Sequence, residues 1–132
     1  WKGNTPDTCI PNCENREYAL WLHTSGFLHF NSTSQDNVGI GQTLCDTPSG
    51  IISAGTWYHV AGVIDSDAGT MSTYVNGVLR ANCPYSNAGI RTTTGPFRIG
   101  NNPSWDSALN GSIDDVRIYS YALTAAEISA LP

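Results

Sequence analysis

The segment Asn101-Asn102-Pro103-Ser104-Trp105-Asp106 sets an indole among amides and a carboxylate. Sugars present apolar C–H faces and polar edges, so an exposed ring flanked by Asn and Asp groups suits them. Trp105 has no alternating apolar neighbours, which predicts exposure, although packing against the domain edge fits equally well. Tyr85, in Cys83-Pro84-Tyr85-Ser86-Asn87, supplies a second loop ring. The expected ligand-binding set is Trp105, Asn101, Asn102, Asp106 and Tyr85. Trp21 and Trp57 fall in strand-like runs and are expected in the core.

A second candidate is Ile113-Asp-Asp-Val-Arg-Ile118. Strand periodicity puts Asp114 on the face of Val116 and Ile118. An inward carboxylate must be compensated by a cation, an arginine or backbone N–H groups. Asp114 and Asp115 are therefore candidate ligands for a hard cation such as calcium, with Arg117 or Arg98 as competing partners. Asp65-x-Asp67-x-Gly69 has a similar spacing but reads better as a hairpin turn.

Catalysis finds less support. Glycosidases need two carboxylates flanking the scissile bond. The glutamates are Glu14, Glu17 and Glu127, none of them in an E-x-D-x-x-E strand, and no G-x-S-x-G elbow occurs. His23 and His29 flank one turn, and His59 reads as a half-buried strand residue. A domain without enzymatic activity is expected.

The cysteines are Cys9, Cys13, Cys45 and Cys83. The Cys9-x-x-x-Cys13 spacing is a weak zinc signal, because structural zinc sites usually join two close pairs. An even count in a chain poor in lysine fits a secreted domain with disulfides. Four cysteines allow three connectivities, and sequence does not select among them. Cys45 with Cys83 is favoured because both follow predicted strands, leaving Cys9 with Cys13 to close a small loop. The sequons at Asn31 and Asn110 also read as ordinary turn chemistry.

The 132 residues suffice for one domain with a real core. Eleven acidic and six basic side chains leave a net charge of -5, which argues against nucleic acid and anionic membrane surfaces as partners. No apolar run approaches a bilayer span.

These candidates must be carried by short strands. Residues 1–16 read as a cysteine-containing loop. Tyr18–His23 and Phe27–Phe30 form a hairpin, and Val38 with Ile40 a weaker strand. Thr56–Asp65 is the strongest strand, apolar on both parities and so expected to be covered on both faces. Thr70–Val75 and Val78–Ala81 flank Asn76-Gly77, the sharpest hairpin signal in the chain. Phe97–Ile99 is short, residues 100–112 form a long loop, and Ser112–Tyr119 is the last strand. Thr124-Ala-Ala-Glu127 ahead of Ile128 is a capping box opening a short helix. The fold class is all-β, an antiparallel β-sandwich (jelly roll) with a short C-terminal helix.

The segments Gly55–Asp65, Gly69–Leu79, Phe97–Gly100 and Leu109–Thr124 together resemble laminin G-like, concanavalin A-like jelly-roll domains. Their W-x-H-V-A strand, strand-N-G-strand hairpin, F-x-I-G strand and closing G-x-I-D-[DE]-V-R-I-Y signature are all matched over residues 17–132. The resemblance implies a secreted, extracellular binding module, most often for glycan or polysaccharide, with a structural calcium near Asp114 in many members. It also implies opening strands that this chain, starting at Trp1, lacks, so residues 1–132 read as a single domain incomplete at its N-terminal side with one sheet edge open. The alternative is a structural or adhesion subunit, or a filament subunit, that takes a strand from another protein chain of the same or a larger assembly.

Overall fold

The computed structural model describes residues 1–4, 16–37, 42–102 and 107–131. Most of its regular structure lies in two antiparallel sheets. The first has the order β1 (Lys2–Gly3), β2 (Arg16–Leu22), β3 (Leu28–Ser32), β4 (Thr43–Leu44). The second has the order β5 (Val60–Asp65), β6 (Thr70–Val75), β7 (Val78–Pro84). A two-residue ribbon, β8 (Asn101–Asn102) with β9 (Ser107–Ala108), lies within the expected long loop.

Local chemistry explains the best-defined elements. β2 and β3 pair from Tyr18 opposite Ser32 to Leu22 opposite Leu28. Leu28 and Phe30 of β3 are buried on one face, and the opposed pair Ala19 and Asn31 is buried on the other, so the middle of this hairpin is covered on both sides. β6 and β7 meet at Asn76-Gly77, whose φ angles of 51° and 73° are those a type I′ turn demands. The terminal helix α1 (Ala125–Ser129) is opened by a complete capping box. The Thr124 hydroxyl accepts from the Glu127 N–H, and Glu127 Oε2 accepts from the Thr124 N–H at 2.7 Å. That backbone bond, with the Thr124 hydroxyl, holds the Glu127 carboxyl below its ordinary pKa.

The sheets pack through Phe30, Cys45, Met71 and Tyr85. A disulfide joins Cys45, just after β4, to Cys83 on β7, with the Cα atoms 5.6 Å apart. It realises the favoured pairing and bolts one sheet to the other. The Thr73 hydroxyl donates to the Cys45 carbonyl at 2.8 Å beside it. Gly62 on β5 lies under the Phe30 ring, where a Cβ would sit 2.6 Å from Cζ. Only glycine lets the sheets approach so closely there. A crossover links them again, since Gln35 N–H donates to Gly89 O and Arg91 N–H to Thr33 O.

Several expectations are corrected. Residues 56–59 lie outside the strand, and β5 is an edge pairing only with β6 among the described residues. The strand buried on both faces is β6. Residues 112–119 form no strand; Ile113, Val116 and Ile118 are 47%, 49% and 61% exposed. Phe97 makes one isolated bridge, to Lys2. The N-terminal loop contains β1, which covers part of the β2 edge expected to be open. Contacts of Trp1 and Lys2 hold it there. Trp1 stacks on Trp21 at 6.3 Å, with Arg98 over Trp1 and Arg16 over Trp21. Lys2 Nζ lies 2.6 Å from Glu17 Oε1. Burial would raise the Glu17 pKa, but Lys2 and the Thr93 N–H and hydroxyl outweigh it, so the carboxyl titrates below its ordinary range. Val38, Ile40, Cys9 and Cys13 lie outside the described residues.

Candidate ligand-binding site

Residues 51–59 cross from the first sheet to the second, and both ends of this crossing are tied down. At the first end, Gly50 N–H donates to Ser25 O and Ile52 N–H to Gly26 O, each at 2.9 Å. Gly26 has φ 71°, and a Cβ there would collide with the Ile52 carbonyl. Positive φ and the close approach both select glycine. At the second end, Asn76 Oδ1 accepts the His59 N–H at 2.9 Å and the Asn76 N–H returns to His59 O at 2.8 Å. Between these anchors the Tyr58 hydroxyl bonds the Ser53 hydroxyl at 2.9 Å.

This frame leaves Trp57 pointing outward, 68% exposed. The expectation that Trp57 belongs to the core is therefore corrected. Beside its indole is a pocket of about 360 Å³, walled by Leu22, Ile52 and Leu109 and fringed by Ser53, Thr56, Asn110 and Ser112. The volume falls within the range of small-ligand sites. No charged side chain lines it. An apolar platform with neutral donors and acceptors at its rim can stack a ring face and hydrogen-bond hydroxyl groups. It has nothing to neutralise a charged ligand.

The residues singled out from sequence are scattered. Asn101 is exposed in β8 and borders a larger cavity that Trp57, Leu22, Ile52 and Leu109 also line, and Asn102 follows it in the same strand. Trp105 and Asp106 lie outside the described residues. Tyr85 is 6% exposed, its ring in the inter-sheet core and its hydroxyl 2.8 Å from Ser32 Oγ. Tyr85 is therefore corrected from an exposed platform to a core residue. Burial pushes its phenol pKa up. β7 extends through Pro84, beyond the expected strand end at Ala81, and the Cys45–Cys83 bond two residues before Tyr85 holds the chain against the other sheet.

Asp114 and Asp115 are exposed rather than inward. Asp115 has φ 50°, which breaks the alternation that placed Asp114 on the apolar face. Asp114 Oδ1 accepts the Asp115 N–H at 2.8 Å. Both Asp115 oxygens are taken by Arg117, at 2.9 Å and 2.6 Å. Calcium takes six to eight oxygens, roughly. As arranged, the pair does not fit it, and no group of three metal-ligating side chains occurs among the described residues. The histidines do not converge either. Phe27 stacks on His23 at 4.4 Å and separates it from His29, which faces Asp46 at 2.8 Å.

A larger trough of about 2020 Å³ opens between the sheets. Tyr18, Leu20 and Phe30 form one wall, the edge strand β5 another, and the apolar side chains of residues 113–119 a third.

Comparison with known proteins bears on this arrangement. The family described as the concanavalin A-like lectin/glucanases superfamily, of laminin G type, matches residues 3–129. Among solved structures, the chain is similar to the crystal structure of an S-layer domain-containing protein from Clostridium thermocellum, with 26% identity and a TM-score of 0.49. The match covers 85% of this chain and 54% of that one, so the chain spans about half the length of its structural relative. No curated protein matches.

Proposed function

Because the chain belongs to the concanavalin A-like lectin/glucanases superfamily, we propose that it is a non-catalytic binding module holding a neutral glycan at the Trp57 pocket. The observation that carries this reading is the exposed Trp57 indole beside a pocket whose rim is polar but uncharged. A net charge of -5 also disfavours acidic sugars. The described glutamates are spent structurally: Glu17 on Lys2 and Thr93, Glu127 on the helix cap. An extracellular setting is supported by the buried Cys45–Cys83 bond, since disulfides persist where the medium is oxidising. No helix among the described residues is long and apolar enough to cross a membrane.

A glycan array probed with wild type, Trp57→Ala and Trp105→Ala tests the proposal. Wild type binds neutral glycans with little dependence on salt, and Trp57→Ala loses at least about tenfold in affinity, or about 1.4 kcal/mol. Its melting temperature stays put, because an exposed side chain contributes little to stability. Equal binding by wild type and Trp57→Ala removes the pocket from the proposal. Loss only in Trp105→Ala moves the site to the 101–106 loop.

A second reading rests on a separate observation. The outer edge of β5 faces the trough, which Ile113, Val116, Ile118 and Tyr119 also line together with Asp114, Asp115 and Arg117. A strand from a neighbouring chain could pair there, making the domain a structural or adhesion subunit. Size-exclusion chromatography tests it: a monomer at all concentrations counts against strand addition.

A further inference from the structure

The chain contains two Asn-Gly dipeptides, Asn76-Gly77 and Asn110-Gly111. This sequence is the one most prone to internal cyclisation, because glycine leaves the following amide nitrogen unscreened. The fold treats the two differently.

Asn76-Gly77 is locked. Asn76 exchanges two hydrogen bonds with the His59 backbone, one through its side-chain amide. The dipeptide forms the tight turn of a paired hairpin. Gly77 also packs on the terminal helix, where an added Cβ would sit 3.1 Å from Ser129 Cα. Swinging the Gly77 nitrogen onto the Asn76 side chain requires opening the turn.

Asn110-Gly111 is free of such restraint. Both residues are exposed, in an irregular segment just after the β8–β9 ribbon. A Cβ at Gly111 would meet nothing closer than Leu109 Cγ at 3.7 Å. Among the described residues no hydrogen bond holds the Asn110 amide. The same residue fringes the Trp57 pocket.

We propose that Asn110 is a self-modification site, deamidating through a succinimide and so placing a carboxylate at the rim of an otherwise uncharged pocket. The Gly111 amide nitrogen attacks Asn110 Cγ and gives up its proton. The side-chain nitrogen leaves as ammonia, closing the five-membered imide. Water then opens either imide carbonyl, yielding aspartate or, with an extra backbone methylene, isoaspartate. No oxidant, reductant or enzyme is required. The chemistry stands on the loop geometry alone; only its effect on ligand binding rests on the Trp57 reading. There it converts a neutral pocket into one that repels acidic ligands and weakens binding of neutral ones tuned to the amide.

The test is incubation of the intact chain at mildly alkaline pH, followed by peptide mapping with mass spectrometry and isoaspartate detection. The Asn110 peptide converts at least about tenfold faster than the Asn76 peptide, equal to about 1.4 kcal/mol of protection by the hairpin. In denaturant the two rates draw together, which assigns the difference to the fold. Equal rates in the native protein, or faster conversion at Asn76, overturn the proposal, as does no conversion at Asn110. On the glycan array, Asn110→Asp shows the consequence at the pocket. An array silent for wild type refutes the glycan reading and leaves the modification result standing.

Discussion

Severing the Cys45–Cys83 bond is the sharpest test of how the sheets are held together. The cross-link spans 38 residues of sequence and sits in the core, with Cys45 fully buried. Loop-closure entropy for a ring of that size corresponds to about 4 kcal/mol of lost stability at room temperature. A chain of 132 residues has an unfolding entropy that converts each kcal/mol into about 3–4 °C. Cys45→Ala/Cys83→Ala is therefore expected to melt about 12–16 °C below wild type by calorimetry or circular dichroism. The double variant isolates this bond, whereas a reductant also reaches Cys9 and Cys13. Two controls sharpen the reading. Wild type unfolded in denaturant, reduced and refolded under reductant should melt at or slightly above the variant, because it too lacks the cross-link but its sulfur atoms still fill their space in the core. The denaturant m-value should rise, since the unfolded chain expands once uncrosslinked. A fall of less than about 4 °C refutes the reasoning: the sheets would then be held by packing and the crossover bonds alone.

Three further outcomes follow from particular contacts. Gly62→Ala forces a methyl group into the Phe30 ring and should cost about 1–3 kcal/mol in urea unfolding; a cost within error denies the close sheet contact. The depressed Glu17 pKa means that the unfolded chain binds more protons, so this group's stabilisation is complete above its ordinary value of 4.5 and is lost as pH falls below it through the folded value. Glu17→Gln should flatten the stability profile in that acid window, and parallel profiles for wild type and variant would contradict the assignment. With Asp115 engaged by Arg117, melts in calcium and in chelator should superimpose; a rise in midpoint with calcium would show that the aspartates or residues beyond those described bind it.

What the sequence alone determined is what short-range physics controls. Asn76-Gly77 dictates a tight turn because both residues must take positive φ. Thr124 and Glu127 open the helix by satisfying orphan N–H groups within one turn. Two short apolar runs, Tyr18–His23 and Phe27–Phe30, on either side of a Ser-Gly turn make a hairpin, and enough such strands in one chain make a sandwich. Partners distant in sequence decided the rest. Thr56–Asp65 has the composition of a central strand, yet β6 lies between two neighbours and β5 at the edge, because order in a sheet depends on which segments meet. Trp57 carries the same composition signal as a core tryptophan. It is turned outward because anchors at Gly26 and Asn76 hold both ends of its loop, and no local pattern encodes anchors so far away. Tyr85 moved the opposite way, drawn inside by a disulfide partner 38 positions from Cys83. Local propensity fixes what each segment can be, while exposure, and with it the site, is a property of the surroundings that only the folded chain supplies.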